Sequence, residues 1–475
     1  MDRRDFMKAA ALTGLALASP LAVRKAKAAD DPYNGLFIIT VHAGGGWDPT
    51  SLCDPKGYEG SVVPDAANTT AMNKSYPAAQ IASAGNIKYA PLFDAANNNN
   101  GNLTVVVPGR GVTQIPAGVA ATARNGQNFF AKHSSRLLVI NGIDVQTNDH
   151  DGGTRNIWSG KLAEGYPAFA AMFSSAVAKD KPLAYITAGG YDFTAGTVAA
   201  TRASRTNRLI AIAEPNVRYR NANNNEYYHT PDTYDRIARF QRERTQGAID
   251  AQRLPRWRNA LSTLFTVREG NNELLRVMDV LNGNLPGTQT KLSDTLNNGS
   301  LQSDFERQVR LGVGAYRAGI AASLSLNSGA GGFDTHQNHD NLQIPSLRTL
   351  LWNVDFIVEE LNVQQVPLNK VMIIVGSDFG RTPGYNSGNG KDHWSTTSMM
   401  FLGGSVPGNR VVGASDERHR MLAVDPGSLA PSTDGVRITP GSINLALRRL
   451  TGISEADVAR EFPTASLADD LPIFG

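Results

Sequence analysis

Short, continuous apolar runs recur along the chain, and longer stretches with helical periodicity lie between several of them. Runs of about four to eight apolar residues bounded by glycine or polar residues are typical of buried strands. Such runs lie at 36–42, 103–109, 136–142, 182–189 and 370–377. Amphipathic helical patterns lie at 166–178, 272–283, 301–324 and 345–363. This alternation predicts an α/β fold with a mostly parallel central sheet and helices on both faces.

Two stretches interrupt the alternation and are predicted to be long loop insertions. Residues near 54–100 are rich in Asn, Ala, Pro and Gly, and residues near 220–260 run from an Asn-rich start into an Arg-rich segment. The Arg-rich segment could attract an anionic ligand, but the acidic residues within it favour a solvated helix face. No clear linker divides the remainder, so we predict a single domain over residues 30–475.

The first residues indicate a targeting signal rather than part of the fold. RRDFMK precedes a moderately apolar, Ala-rich run, and AKA at 26–28 offers a small-residue cleavage site. The run is too short and Ala-rich for a stable membrane span. RRDFMK resembles the twin-arginine (Tat) consensus, which implies a signal peptide over 1–29 read by the Tat export machinery. We therefore expect a periplasmic or secreted protein with no stable membrane anchor after cleavage; an uncleaved amphipathic helix is the alternative.

Removal of this segment changes the net charge. The full chain has 46 Lys and Arg and 43 Asp and Glu, a formal charge of +3. Residues 1–28 hold six basic and two acidic residues, a balance of +4, so their removal leaves −1. The basic character therefore belongs to the export segment and gives no support for a nucleic-acid partner. Cys53 is the only cysteine, which excludes an internal disulfide.

Acidic residues and histidines cluster after the strand-like runs, with glycines beside them. The segments are HAGGGWD (42–48), NDHDGG (148–153), GGFDTHQNHD (331–340), GSDFGR (376–381) and KDHW (391–394). Each alone could be a turn or a helix cap, as Asp334 or Asp340 could be for the helix predicted near Pro345. Carboxylates and imidazoles also hold divalent ions, and ligands bind at the carboxyl ends of parallel strands. Taken together, the clusters predict one shared metal site.

The ordered combination of these segments resembles a known family. The segments that carry the resemblance are GGGWDPTSL, NGIDVQTNDHDGGTRNIWSGKLAEGYP, FDTHQNH, VGSDFGRTP and GKDHW. They resemble the domain-of-unknown-function 1501 family, which is similar to the alkaline phosphatase and sulfatase superfamily. The resemblance covers essentially the whole chain after the export segment. It implies an alkaline-phosphatase-like fold around one or two divalent ions.

The resemblance also assigns roles by position. The metal ligands it implies are Asp48, Asp334, His336, His339, Asp378 and His393. Of the two histidines in FDTHQNH, we favour His336 as the ligand and expect His339 nearer the rim. Arg381 could contact an anionic substrate or form an ion pair inside the fold. The ion would be zinc, manganese or calcium, and the substrate a small anionic ester of phosphate or sulfate.

The nucleophile position departs from the superfamily pattern. In the superfamily the nucleophile is a serine, threonine or modified cysteine at a fixed distance before the glycine of a pair such as Ser159-Gly160. The same distance counted back from Gly160 reaches His150 instead. Thr154 is the nearest hydroxyl, and Phe379 stands where alkaline phosphatases carry a histidine. An imidazole can accept a phosphoryl group or bind metal, but it does not reproduce an alkoxide. We therefore consider His150, Thr154 and Arg381 as catalytic candidates.

Two functions remain open at this point. One is an exported metal-dependent hydrolase or transferase that acts on a phosphate or sulfate ester. The other is a non-catalytic exported protein that uses a degenerate version of the fold for binding or envelope assembly. The remaining histidines are predicted to be structural: His42 packed or hydrogen-bonded, and His133, His229 and His419 at the surface.

Overall fold

The computed structural model describes most of the chain. The described residues are 32–58, 76–93, 104–107, 111–114, 128–203, 216–219, 226–269, 303–404, 406–464 and 470–475. The predicted signal peptide, the predicted helix at 272–283 and parts of both predicted insertions lie outside them. Within the described ranges, no helix combines the length and the apolar character needed to cross a membrane.

Eight strands form the central sheet. They are β1 (Phe37–His42), β2 (Leu137–Asp144), β3 (Tyr185–Thr187), β4 (Ala200–Arg202), β5 (Ser323–Asn327), β6 (Val371–Gly376), β7 (Thr396–Gly403) and β8 (Arg410–Val412). Their order across the sheet is β4-β3-β5-β1-β6-β7-β2-β8. Neighbours are parallel throughout, except that β7 runs antiparallel to both β6 and β2. The predicted α/β fold with a mostly parallel central sheet is confirmed.

Helices pack against the sheet through two separate apolar cores. The helices are α1 (Phe129–His133), α2 (His150–Ser159), α3 (Phe169–Val177), α4 (Pro231–Ala251), α5 (Pro255–Glu269), α6 (Asp304–Arg317), α7 (His339–Val363), α8 (Pro440–Leu450) and α9 (Asp457–Glu461). In β1, Phe37, Ile39 and Val41 join the core that contains side chains of α1, α6 and α7. Ile38 joins the other core, with side chains of α2, α3, α8 and α9. Because strand side chains alternate between faces, both sides of β1 are buried.

Smaller elements decorate this framework. Two-stranded ribbons pair Gly57–Tyr58 with Tyr76–Pro77, Ala82–Ala84 with Ile87–Tyr89, Thr104–Val107 with Gly111–Gln114, Val217–Tyr219 with Glu226–Tyr227, and Gly380–Arg381 with His393–Trp394. Short 3-10 helices lie at Pro49–Ser51, Ala78–Gln80, Pro91–Phe93, Ser134–Arg136 and Leu368–Lys370. Within the apolar run at 103–109, Thr104–Val107 thus forms a ribbon strand outside the central sheet. Helix α4 buries only Thr245, as expected for a solvated Arg-rich helix.

One edge of the sheet gathers the polar segments that the sequence singles out. The ends of β1, β5 and β6 are level with one another, since His42 pairs with Asn327 and with Gly376. The start of β7 lies opposite the end of β2, because β7 is antiparallel and Thr396 pairs with Asp144. The loops after β1, β2, β5 and β6 and the segment before β7 therefore meet at this edge.

Candidate metal centre

A glycine turn after β1 brings three loops into contact. Gly45 and Gly46 have φ values of 115° and 81°, in the region that only glycine adopts readily. A Cβ on Gly45 would lie 2.5 Å from the Asp334 nitrogen, and a Cβ on Gly46 would lie 2.5 Å from the Phe379 ring. Both positions therefore require glycine, because the loops after β5 and β6 occupy the space a side chain would need.

The same turn holds the carboxylate of Asp378, which is 1% exposed. The Gly46 N–H donates to Asp378 Oδ1 at 2.6 Å, and the Gly45 N–H donates at 3.0 Å. Ser377 Oγ donates at 2.9 Å, and His150 Nδ1 lies 2.5 Å from Oδ2. Burial raises the pKa of Asp378, but the His150 hydrogen bond and nearby charge outweigh it and leave the pKa lowered. Asp378 is therefore an ionised anchor for His150.

Three imidazoles around this anchor have the same arrangement, with each Nδ1 atom next to an oxygen acceptor. His150 Nδ1 bonds to Asp378, His336 Nδ1 lies 2.7 Å from Asp392 Oδ1, and His393 Nδ1 lies 2.7 Å from the Asn148 carbonyl oxygen. Carboxylate and carbonyl oxygens only accept, so each Nδ1 carries a proton. In the neutral ring the lone pair is then on Nε2. Such outer hydrogen bonds are how proteins orient metal-binding histidines.

The three Nε2 atoms converge on the carboxylate of Asp334. His336 Nε2 lies 3.1 Å from Asp334 Oδ1, and His393 Nε2 lies 3.4 Å from the same oxygen. His150 Nε2 lies 3.6 Å from Asp334 Oδ2. The His336 and His393 Nε2 atoms are only 2.9 Å apart. Two lone pairs this close repel one another unless a proton lies between them or a cation takes up one of them, so the arrangement fits a cation on His393 with His336 beside it.

Within that group, His150, Asp334 and His393 have the spacing of a ligand set, since one ligand atom from each lies within 4.8 Å of the others. Their side chains are 38%, 48% and 21% exposed, so solvent reaches the group. The Asp378 hydrogen bond raises the pKa of His150. The Phe379 ring packs beside both imidazoles, at 4.8 Å from that of His150 and 4.3 Å from that of His393. Three protein ligands with an open side are typical of catalytic metal sites.

Arg381 lies behind this group and is fully buried. Its Nη2 donates to Asp334 Oδ1 at 2.7 Å and also to the Gly45 carbonyl. Its Nε donates to the Gly46 carbonyl and its Nη1 to the Lys391 carbonyl, both at 2.9 Å. Burial raises the pKa of Asp334, but the guanidinium outweighs it and leaves the pKa lowered. Of the two roles considered for Arg381, the structure shows the ion pair inside the fold.

Two further predicted ligands, Asp48 and His339, form a separate buried cluster with Lys391. Asp48 Oδ1 accepts from the Thr50 N–H at 3.0 Å and from the Thr50 hydroxyl at 2.7 Å. Asp48 Oδ2 accepts from Lys391 Nζ at 2.7 Å and from His339 Nε2 at 3.0 Å. Burial raises the pKa of Asp48, but Lys391 and His339 together hold it well below its usual range. Both carboxylate oxygens are thus saturated by protein donors.

His336 and His339 lie in the opposite places to those expected, with His336 nearer the solvent-exposed rim of the site and His339 in its interior. His339 is fully buried and also bonds to the Thr335 hydroxyl through Nδ1 at 2.7 Å, so the prediction that it lies nearer the rim is wrong. The His336 side chain is 45% exposed beside Asp334. Asn338, at φ 51°, separates them and turns the chain into α7. This left-handed residue explains why two histidines three positions apart enter different clusters.

The remaining candidates have simpler surroundings. Thr154 lies one turn after His150 on α2 and is half-buried, and the described structure gives its hydroxyl no bond to the metal-site group. His42 is packed as predicted: it is buried, and its Nδ1 accepts from Trp158 Nε1 at 3.0 Å. His133 and His419 are both fully buried, so their predicted surface location is wrong, whereas His229 is exposed.

Sequence reasoning missed the supporting role of three neighbours. Asp392 orients His336, the Asn148 carbonyl orients His393, and Lys391 neutralises Asp48. Asp392 and Lys391 directly precede His393, so the KDHW segment itself contained a signal for two of them. The carbonyl of Asn148 has no signature in the sequence, because every residue has a carbonyl.

One comparison with known proteins identifies a family. The model of the family described as "Protein of unknown function (DUF1501)" matches residues 37–429. No curated protein matches the chain. One similar solved chain comes from a structure titled "Crystal structure of Ps i-CgsB in complex with k-i-k-neocarrahexaose", at 9% identity over 92% of this chain and 78% of that chain. Its TM-score is 0.29, so this likeness carries no argument about fold or function.

Proposed function

The chain belongs to the DUF1501 family, and we propose that this member is an exported metal-dependent hydrolase or transferase that acts on a phosphate or sulfate ester. The observation that carries the proposal is the convergence of three imidazole Nε2 atoms on the half-exposed carboxylate of Asp334. An alkaline-phosphatase- and sulfatase-like fold, which the sequence motifs resemble, is part of the proposal. A small anionic ester is the substrate class that suits a cation at an open sheet edge.

The ion would be held by His150, Asp334 and His393, with a side open to substrate. Two imidazoles and a carboxylate suit zinc or manganese, whereas calcium takes about six to eight oxygen ligands and fits less well. A divalent ion bound there supplies Lewis-acid polarisation of an ester oxygen. Asp378 and the Asn148 carbonyl fix the orientation of the two imidazoles, and Arg381 fixes that of Asp334.

His336 is then free to act on protons. Asp392 accepts the Nδ1 proton of His336, which leaves the Nε2 lone pair facing Asp334 and open to solvent. We assign His336 as the general base that removes a proton from the attacking water, with Asp392 as its orienting partner. This role differs from the metal-ligand role that the family resemblance implies for His336.

Water is the proposed nucleophile, because the hydroxyl groups near the site are unsuitable. Ser377 is buried and bonds to the Ala43 carbonyl and to Asp378. Thr154 makes no bond to the metal-site group in the described structure. His150, at the usual nucleophile position, is held by Asp378 and points Nε2 at Asp334. Hydrolysis by direct displacement, without a covalent enzyme intermediate, fits these contacts.

The first experiment measures bound metal and ester cleavage together. Purified protein is tested for divalent ions by elemental analysis and for activity on aryl phosphates and aryl sulfates. We expect His393→Ala to lose both ion and activity. His336→Ala should keep the ion and lose activity by about 10²- to 10⁴-fold, the usual contribution of a general base. Protein that binds an ion but cleaves neither ester class would reject the hydrolase in favour of the non-catalytic alternative, and protein that binds no ion would reject the metal centre.

The second experiment tests the location. We propose that the Tat machinery exports the protein to the periplasm or beyond, and that no stable membrane anchor remains after cleavage. The support is the RRDFMK segment with its apolar run and AKA site. Replacement of Arg3 and Arg4 by lysine should leave the uncleaved precursor in the cytoplasm. Normal processing of that variant would reject this route.

A further inference from the structure

A second polar feature adjoins the candidate metal centre. It is a pocket of about 440 Å³, within the ordinary range of about 300–1,000 Å³ for small-molecule sites. Its lining consists of Asp144, Gln146, Thr147, Asn148, Ser395 and Arg437. All six side chains carry hydrogen-bonding atoms. We propose that this pocket, named here the polar pocket, binds the alcohol portion of the ester, and that this portion is a neutral polyhydroxylated group such as a sugar. This inference rests on the proposed function.

The polar pocket and the metal centre share structural elements. The Asn148 carbonyl accepts from His393 Nδ1 at 2.7 Å, so a residue of the pocket also orients a proposed metal ligand. Asn148 lies two positions before His150 at the start of α2, and Ser395 lies two positions after His393. The His393 imidazole therefore connects the two, with Nδ1 on the Asn148 carbonyl and Nε2 towards Asp334.

Charge in the pocket favours a neutral ligand. Arg437 Nη1 lies 2.9 Å from Asp144 Oδ2, which pairs the two charged groups of the lining. A second anionic group on the ligand would be attracted by Arg437 but repelled by Asp144. The Arg437 side chain is 66% exposed, so its other N–H groups are open to hydroxyl oxygens.

Hydrogen-bonding capacity favours hydroxyl groups over an apolar alcohol. Among the described residues, no partner is found for the side-chain amides of Gln146 and Asn148 or for the hydroxyl of Ser395, so solvent satisfies them. Each of these groups can both donate and accept, as each hydroxyl of a sugar can. An apolar alcohol would displace that water and leave the groups unpaired, which is costly.

Part of the pocket lining belongs to a fixed turn. Gln146 has a φ of 64°, a left-handed conformation that L residues other than Asn and Asp seldom adopt. The Gln146 N–H donates to Asp144 Oδ1 at 3.0 Å, and the Asp149 N–H donates to the Thr147 hydroxyl at 3.1 Å. These bonds hold the segment between β2 and α2 in one conformation before a ligand arrives, which lowers the entropic cost of binding.

The test compares esters that share an anion but differ in the alcohol. Wild-type protein, Gln146→Ala with Ser395→Ala, and Arg437→Gln are assayed on 4-nitrophenyl phosphate and sulfate and on glucose 6-phosphate and glucose 6-sulfate. Loss of two ligand hydrogen bonds should lower kcat/KM for the sugar ester by about 10- to 100-fold and leave the aryl ester little changed. Arg202→Gln, another exposed arginine paired with an aspartate, is the matched control and should change neither.

Failure of the pocket and failure of the proposed function give different results. Equal losses on aryl and sugar esters, or a wild-type enzyme indifferent to the sugar, would overturn the polar pocket and leave the hydrolase intact. If no ester is cleaved, calorimetry with the glucose esters and with inorganic phosphate and sulfate decides. Tighter binding of the glucose esters, lost in the double variant, would support the pocket and reject hydrolysis. Equal binding of sugar ester and inorganic anion would overturn the pocket.

Discussion

Replacement of Lys391 by methionine tests whether Asp48 belongs to a self-contained buried cluster. The Lys391 ammonium lies 2.7 Å from Asp48 Oδ2, and the two side chains are 2% and 0% exposed. Methionine is of similar length but carries no charge. The variant would therefore leave the Asp48 carboxylate buried without its cation and without water to replace it.

The expected loss of folding free energy is about 3 kcal/mol. Removal of one partner from a buried ion pair usually costs about 3–5 kcal/mol, because the other charge is left uncompensated. Asp48 keeps three close donors, namely the N–H and hydroxyl of Thr50 and Nε2 of His339, so the lower end applies. His339 adds a pH dependence. The pKa of His339 should rise beside a carboxylate that has lost its cation, so more of His339 is protonated at pH 6 than at pH 8. The loss of folding free energy should therefore be smaller at pH 6 than at pH 8.

Urea unfolding of metal-free protein at both pH values measures the effect. Lys132→Met is the matched control, because Lys132 pairs with Asp355 at 2.6 Å but is 43% exposed. An exposed pair of that kind contributes less than about 1 kcal/mol. Adding Asp48→Asn to Lys391→Met removes both charges and should recover most of the stability. If Lys391→Met cost no more than Lys132→Met, Asp48 would not depend on the ammonium, and the assignment of Asp48 to a self-contained cluster would be refuted.

Three further predictions concern the proposed base, the glycine turn and pH. Asp392→Asn should lower kcat with little change in bound metal, because Asp392 orients His336. The Asp340 carboxylate accepts from Tyr385 instead, so Asp340→Asn should change neither kcat nor bound metal. Equal effects of the two variants would contradict the assignment of His336. In urea unfolding, Gly46→Ala should destabilise the protein far more than Gly196→Ala. Both glycines have positive φ, but only Gly46 has neighbours that a Cβ would strike. Equal losses of stability would contradict this reasoning. Metal-free protein should lose stability as pH falls from about 7.5 to 5.5. Burial lowers the pKa of several histidines in the folded protein below the unfolded value of about 6.5. Over this pH range the unfolded chain therefore binds more protons than the folded protein, which favours unfolding. An unchanged urea midpoint over that range would contradict the last prediction. The histidines are His42, His133, His339 and His419, and His150, whose pKa is raised, acts in the opposite direction.

The central sheet was predictable where burial alone decides the residue types. The runs of β1, β2 and β6 are buried at every position, so most of their residues are apolar. Strand β5 was not predicted, and the helical pattern at 301–324 wrongly extends into it; two of its buried residues are serines, which hide the apolar run. Ser323 donates to the Ala170 carbonyl, and Ser325 accepts from Thr40 and Tyr185, so hydrogen bonds satisfy both hydroxyls. Side-chain partners of this kind come from other elements and leave no local pattern.

The site was predictable in its residue types but not in its grouping. Glycine-flanked aspartates and histidines after strands pointed to the right sheet edge, and Asp334, Asp378 and His393 do meet there with His150. The separate pairing of Asp48 with Lys391 joins residues 343 positions apart. Nothing near either residue encodes that contact, which depends on how the loops after β1 and before β7 close over each other.

Long-range assembly of the candidate metal centre has a consequence for folding. His150 meets Asp378 across 228 positions, and His393 meets the Asn148 carbonyl across 245. Contacts of such separation form late, after the loops between them have been ordered. A truncated or partly folded chain would therefore present scattered single ligands, each too weak to retain an ion. We expect uptake of the proposed ion to mark the end of folding, because the proposed ligands meet only once the distant segments that carry them have docked.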